Sequence, residues 1–248
     1  MKALKFLLRG KTAFFKQPDV NTYCYYTYGC IHKVALLGMF GAVMGFRGYN
    51  GQTKAETYPE FYEKLKHLKV SICPLNEKGY IPRKVQTFNN SVGYASKEEG
   101  GNLIVKEQWL ENPSWEIAFL IEDEDSETLA ERLLNYRFAF IPYLGKNDHS
   151  AQLEQVEVTE VSPVSDRGNL KISSLFPSKA GTIQQIEGGM AQLQMRESPF
   201  KYEERLPVGL EPACNQYETC QMTFTNQPVS LADNAEAYFM GDKCYVFV

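Results

Sequence analysis

The order in which strand-type and helix-type runs alternate over residues 1–150 constrains this chain more than any other feature. Residues 3–8, a short apolar run between Lys2 and Arg9 that stops at Gly10, read as a strand. From Ile31 to Phe46 apolar residues recur at helical spacing around nearly the whole circumference, which predicts a buried helix. Gly38, Gly41 and Gly45 recur there at intervals of three and four and line one narrow stripe. Each interior glycine costs about 1 kcal/mol of helix stability relative to alanine, so close packing is the expected compensation. Residues 58–69 predict a second helix, with Pro59 in its first turn and Phe61, Leu65 and Leu68 on one face. Residues 103–110 and 115–121 are strand-like, and Glu111-Asn112-Pro113-Ser114 between them is turn chemistry, so the two are expected to pair as a hairpin. After the acidic residues 122–125, Ser126 is placed to cap a helix to Arg137, and residues 138–144 return to strand before Gly145-Lys146-Asn147.

Strand, helix, long insertion, strand, strand, helix, strand is the α+β order βαββαβ, ferredoxin-like and shared with RNA-recognition modules. The insertion at about 81–106 loses helical periodicity, gains Asn, Ser and Gly, and reads as a projecting hairpin. Beyond residue 150 the chain offers short alternating runs (154–161, 190–195, 222–225 and 243–248) separated by Pro and Gly, which predicts a β-rich second part over 151–248. The longest apolar stretch, thirteen residues from Val34 to Phe46, falls short of the roughly seventeen that a membrane span needs. Charge breaks the N-terminal run every few positions, so no export signal is expected and the chain is read as cytoplasmic, with its six cysteines reduced. Cys24/Cys30 and Cys214/Cys220 each enclose five residues, where structural zinc sites use two to four; no metal and no cofactor is expected.

The formal net charge of −4 hides a gradient. Residues 1–50 carry seven Lys/Arg against one acid, while residues 101–248 carry eleven against 23. A cationic front joined to an anionic back suits a protein that turns one surface to a polyanion, although internal pairing of the two halves accounts for the same pattern. No phosphate loop, dinucleotide fingerprint, nucleophile elbow or paired-histidine metal motif occurs. Tyr28 to Lys33 lead into the glycine-striped helix, whose free backbone N–H groups attract an anion, with Lys33 adding charge. Gly145-Lys146-Asn147 offers flexible backbone donors and an ammonium. The aromatic residues 11–29, read as an exposed loop, could stack on unpaired bases or serve as a hydrophobic lid. His149 with Lys146 and Tyr143 could assist metal-independent RNA cleavage, the base activating a ribose 2′-hydroxyl; His67 in its charged helix reads as surface filler. The strand 115–121 lacks the basic, aromatic pattern of an RNA-stacking sheet.

Gly10-Lys11-Thr12-Ala13-Phe14-Phe15-Lys16-Gln17-Pro18, Thr27-Tyr28-Gly29, the helix from Leu37 through Gly41 to Gly45, and Tyr143-Leu144-Gly145-Lys146-Asn147 together resemble a known family. It is the RAMP-superfamily CRISPR-associated proteins numbered five, subunits of Cascade effectors, and the run from Gly10 to Gly48 looks most like the type I-B branch. The resemblance covers roughly the first 150 residues. It implies a ferredoxin-like RAMP domain that grips the 5′ handle of the CRISPR guide RNA (crRNA) in antiviral defence, with an inserted β-hairpin thumb reaching toward the Cascade backbone subunit. The large subunit is a further implied partner, target DNA is met only through the ribonucleoprotein complex, and no membrane is involved. Most members do not cleave RNA; the type I-C branch, a metal-independent endoribonuclease that processes the precursor, is the alternative. Carried over position by position, Lys11, Lys16, Tyr28, His32, Lys33, Arg47, Lys146 and Asn147 become RNA-binding candidates, and Arg83, Lys84, Phe88 and Tyr94 thumb candidates. No catalytic residue is implied.

Overall fold

Strand alternation puts Leu4, Phe6 and Leu8 of the first strand, β1 (Lys2–Arg9), on one face and Ala3, Lys5 and Leu7 on the other. The computed structural model, which describes residues 1–19, 23–184 and 198–248, builds the fold around that strand. Along the chain follow β2 (Thr12–Ala13), α1 (Lys33–Met44), α2 (Glu60–Leu65), β3 (Val70–Pro74), β4 (Arg83–Asn89), β5 (Ile104–Glu111), β6 (Ser114–Ile121), α3 (Glu124–Leu134) and β7 (Gln152–Glu160). Then come β8 (Ser162–Pro163), β9 (Phe176–Pro177), β10 (Gly181–Ile183), β11 (Lys201–Leu210), β12 (Tyr217–Thr225), β13 (Val229–Leu231), β14 (Ala237–Met240) and β15 (Lys243–Val246). The central sheet has the order β3-β6-β1-β7, every neighbour antiparallel. Leu4, Phe6 and Leu8 register with Phe119, Ile117 and Trp115 of β6. These residues are buried with Leu36, Leu37 and Phe40 of α1 and Leu129 and Leu133 of α3. At β7 the free sheet edge carries a bulge, with Gln155 at φ 52° and the register shifting between Lys5 and Leu7; the extra twist blunts an edge that would otherwise invite another strand.

The sheet's second face is covered by chain from the C-terminal part. Ala3, Cys73, Ala118 and Leu120 are buried against Tyr238, Met240, Tyr245 and Phe247, and the Tyr245 hydroxyl bonds the Glu116 carboxylate. RNA-recognition sheets stack bases on such a face; here it is closed, in keeping with the pattern of residues 115–121. The β11–β12 hairpin packs along α1, with Leu206, Leu210 and Met222 joining the main core. No helix among the described residues is long and apolar enough to cross a membrane.

Several elements differ from the sequence expectation. β5 and β6 are strands, but they do not pair: β5 lies between β2 and β4 in a separate three-stranded sheet, while β6 enters the central sheet. The turn at Asn112 (φ 46°) hands the chain from one sheet to the other. The central sheet's strand after α2 is β3, a fully buried five-residue run that alternation does not reveal. Residues 138–144 form no strand: Ala139 and Phe140 donate instead to the Val43 and Ala42 carbonyls at the end of α1, and β7 completes the sheet. α2 is shorter than predicted, and α3 is capped by Asp123, with Ser126 reciprocating from inside the first turn. His67 has a structural role, its Nε2 lying 2.7 Å from that capping carboxylate. The run 190–195 lies outside the described residues.

The glycine stripe divides into three jobs. Gly45, at φ 83°, ends α1 in a left-handed cap that returns its own N–H and that of Phe46 to the Ala42 and Gly41 carbonyls. A methyl group on Gly41 would lie 2.4 Å from Phe61 Cβ, so Gly41 is where α2 packs on α1. At Gly38 the nearest atom to an added Cβ is 3.9 Å away. Gly41→Ala is therefore expected to destabilise the fold by about 1–3 kcal/mol through overpacking. Gly38→Ala should leave stability unchanged or raise it by up to about 1 kcal/mol through helix propensity. Urea titration of the two variants checks the contrast.

Candidate nucleic-acid interface

Three segments distant in sequence meet over α1. Past β2, the Phe14 N–H donates to the Leu144 carbonyl (3.1 Å), which ties residues 12–16 to the loop carrying Gly145 and Lys146. The chain then returns so that Lys16 faces Thr27, Tyr28 N–H donates to Phe15 O (2.8 Å) and Tyr25 exchanges backbone hydrogen bonds with Lys106 and Gln108 of β5. Gly145 makes the loop's approach possible: at φ 88°, an added Cβ would lie 1.8 Å from the Phe14 carbonyl oxygen. The result is a cleft of about 570 Å³. Its α1 side presents Val34, Ala35, Gly38, Met39 and Ala42; Tyr25, Tyr49, Tyr143 and Tyr217 supply aromatic surface. Lys16, Lys146, Glu107 and His32 supply its polar groups.

Lys146 Nζ lies 2.9 and 3.2 Å from the two oxygens of Glu107 and 5.6 Å from the ring centroids of both Phe14 and Phe88. Glu107 is 4 % exposed and also accepts from Trp109 Nε1 (2.9 Å), so its charge is desolvated but paired. Lys16 is exposed, with its ammonium 4.0 Å from the Tyr25 ring centroid and no carboxylate partner among the described residues. Lys146 is thus held by Glu107 and, at 3.9 Å, by the exposed Asp148, which leaves Lys16 as the cleft's cation without a carboxylate partner among the described residues. His32 is the N-cap of α1: its Nδ1 accepts from the Ala35 N–H (3.2 Å), which places the proton of the neutral ring on Nε2. Burial pushes its pKa down to about 3, so it is a neutral donor and not a cationic phosphate ligand.

The remaining predicted residues are dispersed, for identifiable reasons. Tyr28 is 6 % exposed, packed edge-on against His32 and Tyr217, with its phenol pushed up to about 12 by burial and then by Tyr217, Asp19 and Glu204; it is a wall of the core, not a stacking platform. Phe14 and Phe15 are buried too, so residues 11–19 and 23–29 are integral segments and not an exposed loop, although Tyr23 and Tyr26 are exposed. Lys11 faces a separate groove with Arg9, Asn112 and Gln152. Lys33, lowered to about 8 by burial, does not line the cleft. Arg47 is held by Glu56 and Glu60 (2.9 Å each) and braces the start of α2. Asn147 is exposed beside Lys146. On the β4–β5 hairpin, Arg83 pairs with Glu204 (3.7 Å) and Lys84 with Glu111 (3.2 Å), Phe88 borders Lys146 and Tyr94 is exposed. His149 is buried, sharing a 2.7 Å hydrogen bond with Thr12 and packed edge-on to Trp109; its ring does not line the cleft, and its pKa is lowered, chiefly by burial.

Glu107, Tyr49 and Tyr217 were not legible as cleft residues. Glu107 carries the one available signal, an acid sharing a strand face with Val105 and Trp109. No protein-family model matches the sequence, and no curated protein does. Solved structures do. A CRISPR protein from Archaeoglobus fulgidus is similar over 99 % of this chain and 98 % of that chain (TM-score 0.53, 12 % identity). A chain of a CRISPR RNA-guided surveillance complex is similar over 90 % of this chain and 91 % of that chain (TM-score 0.53, 15 % identity). At such identities the likeness is one of fold: the chain shares the α+β, largely antiparallel fold of these CRISPR-associated proteins.

Proposed function

We propose that the chain is a non-catalytic RNA-binding subunit of a CRISPR ribonucleoprotein, a family-five RAMP protein of a type I-B-like Cascade that holds the 5′ handle of the guide RNA in the cleft over α1. The observation that carries this reading is the convergence of Lys16 and Lys146 on one aromatic-walled cleft, since cation plus aromatic surface is how single strands are held without a duplex. The fold likeness supports the setting, and the path β1-α1-β3-β6-α3-β7 through the sheet order β3-β6-β1-β7 supports reading the sheet as ferredoxin-like. In this reading residues 1–150 with β7 form the RNA-gripping unit. The β4–β5 hairpin is the thumb toward the backbone subunit, and the β-rich remainder closes the sheet's second face. The large subunit is a second neighbour, target DNA is met through the complex, and the setting is the cytoplasm.

Purified protein should bind repeat-derived RNA with salt-sensitive affinity and leave it intact with magnesium or with EDTA. Site-specific cleavage in EDTA, lost on Lys146→Ala, would contradict the non-catalytic assignment; equal affinity for an unrelated RNA of the same length would contradict handle recognition. Glu107→Gln separates stability from binding. It is expected to cost about 1–3 kcal/mol by weakening a buried charge pair. It also removes the cleft's single negative charge, so RNA affinity at low salt should rise and the log–log salt slope should steepen by about 0.7.

A further inference from the structure

We propose that the cleft over α1 holds a single unstacked nucleobase, with the phosphates that flank it outside at Lys16 and Lys146; this rests on the RNA-binding reading above. Four observations converge on a base. The cleft's volume of about 570 Å³ lies within the range of sites that enclose small organic ligands. On its α1 side Ala35, Gly38 and Ala42 carry nothing larger than a methyl group, alongside Val34 and Met39, which also line it. Gly38 is not required there by packing, because an added Cβ meets nothing nearer than 3.9 Å, whereas Gly41 is wedged against α2. What the missing side chain at Gly38 leaves is room in a cleft that tyrosine rings also line, and aromatic surface takes up any base through its π-face.

The polar groups agree. His32 is 2 % exposed and lines the cleft between the rings of Phe15, Tyr28 and Tyr217, and its Nε2–H makes no hydrogen bond among the described residues. A donor held at the cleft wall with no protein acceptor is open to a ligand, and a ring nitrogen or carbonyl of a base supplies the acceptor. Glu107 cancels one of the two lysine charges. With Asp148 also 3.9 Å from Lys146, one unpaired cation, Lys16, suits a backbone passing at the mouth better than several phosphates inside.

The test compares octaadenylate, octacytidylate and octauridylate with an abasic ribose-phosphate octamer of equal charge, titrated onto the full chain and onto Gly38→Met. The substitution replaces glycine by a better helix former and fills the cleft, so a melting temperature at or above that of the parent shows the fold intact. The parent chain should bind at least one base-bearing octamer on the order of tenfold to a hundredfold more tightly than the abasic one. Gly38→Met should bind all four alike, at the abasic level. Equal, salt-sensitive binding of abasic and base-bearing octamers by the parent would overturn the base site and leave the RNA-binding reading standing. A base-dependent difference that survives Gly38→Met would place base recognition elsewhere and overturn it too, and failure of every octamer to bind would overturn both.

Discussion

Gly145→Ala is expected to destabilise the protein by about 2–5 kcal/mol and to reduce RNA affinity at low salt at least tenfold. The loop residue sits at φ 88°, where a side chain is strained by about 1–3 kcal/mol, and its Cβ would lie 1.8 Å from the Phe14 carbonyl oxygen and 2.7 Å from the Phe14 carbonyl carbon. Both clashing atoms are backbone, so no rotamer change relieves them. The loop has to leave the strand, which strips the Phe14 N–H of its Leu144 acceptor and withdraws Lys146 from Glu107. Gly48→Ala is the control: Gly48 has φ −86° and nothing within 4 Å of an added Cβ, so its stability should stay within about 0.5 kcal/mol of the parent. Urea titrations and fluorescence anisotropy on labelled RNA read both effects, and equal behaviour of the two alanine variants would contradict the account of the loop.

Acidification is expected to weaken the fold well before the carboxylates titrate. His32 has a folded-state pKa of about 3 through burial, against an ordinary value of about 6.5 in the unfolded chain. Below 6.5 the unfolded chain takes up a proton that the folded one refuses. The stabilisation is thus complete above about pH 6.5 and is lost as pH falls toward 3, by about 1.4 kcal/mol per pH unit. Between pH 7 and pH 4.5 that amounts to about 2–3 kcal/mol from His32, and His149, shifted in the same direction by burial, adds to it. His32→Asn keeps an oxygen at the N-cap and has no ring to titrate, so its stability should vary much less over the same interval. An equal loss in parent and variant would mean that His32 is not the source.

Elements with a strong local signature were legible and elements defined by tertiary contact were not. β1, β6 and α3 carry clear periodicity, α1 is a continuous apolar run of helical length, and the turn residues around 100 mark the hairpin that β4 and β5 form. β3 is five buried residues with no alternation, and residues 138–144 look like a strand because Phe138, Phe140, Ile141 and Tyr143 are apolar, although Phe140 and Ile141 are exposed. The false hairpin of β5 with β6 arises because Asn112 and Pro113 suit a sheet-to-sheet crossing as well as a hairpin turn. In the site, Lys16 and Lys146 could be named from the sequence, while their adjacency depends on the Phe14–Leu144 hydrogen bond. Sequence could not tell paired from unpaired cations: Arg47, Arg83 and Lys84 are engaged by acids that lie near them only in the fold, or, for Glu56 and Glu60, across a turn. His32 and Tyr28 carry RNA-suited side chains in the sequence, and burial changes their chemistry in the fold.

The claim on which these expectations depend is that RNA lies in the cleft over α1. Photo-crosslinking with 4-thiouridine placed at successive positions of a repeat-derived RNA, followed by mass spectrometry of the adducts, reads this directly. Adducts at Tyr25, Tyr143, Tyr217 or Lys146, suppressed by Gly145→Ala, are the predicted result. Adducts confined to the Lys11 groove or to the exposed Tyr94 of the hairpin, with the cleft residues unmodified, would contradict it.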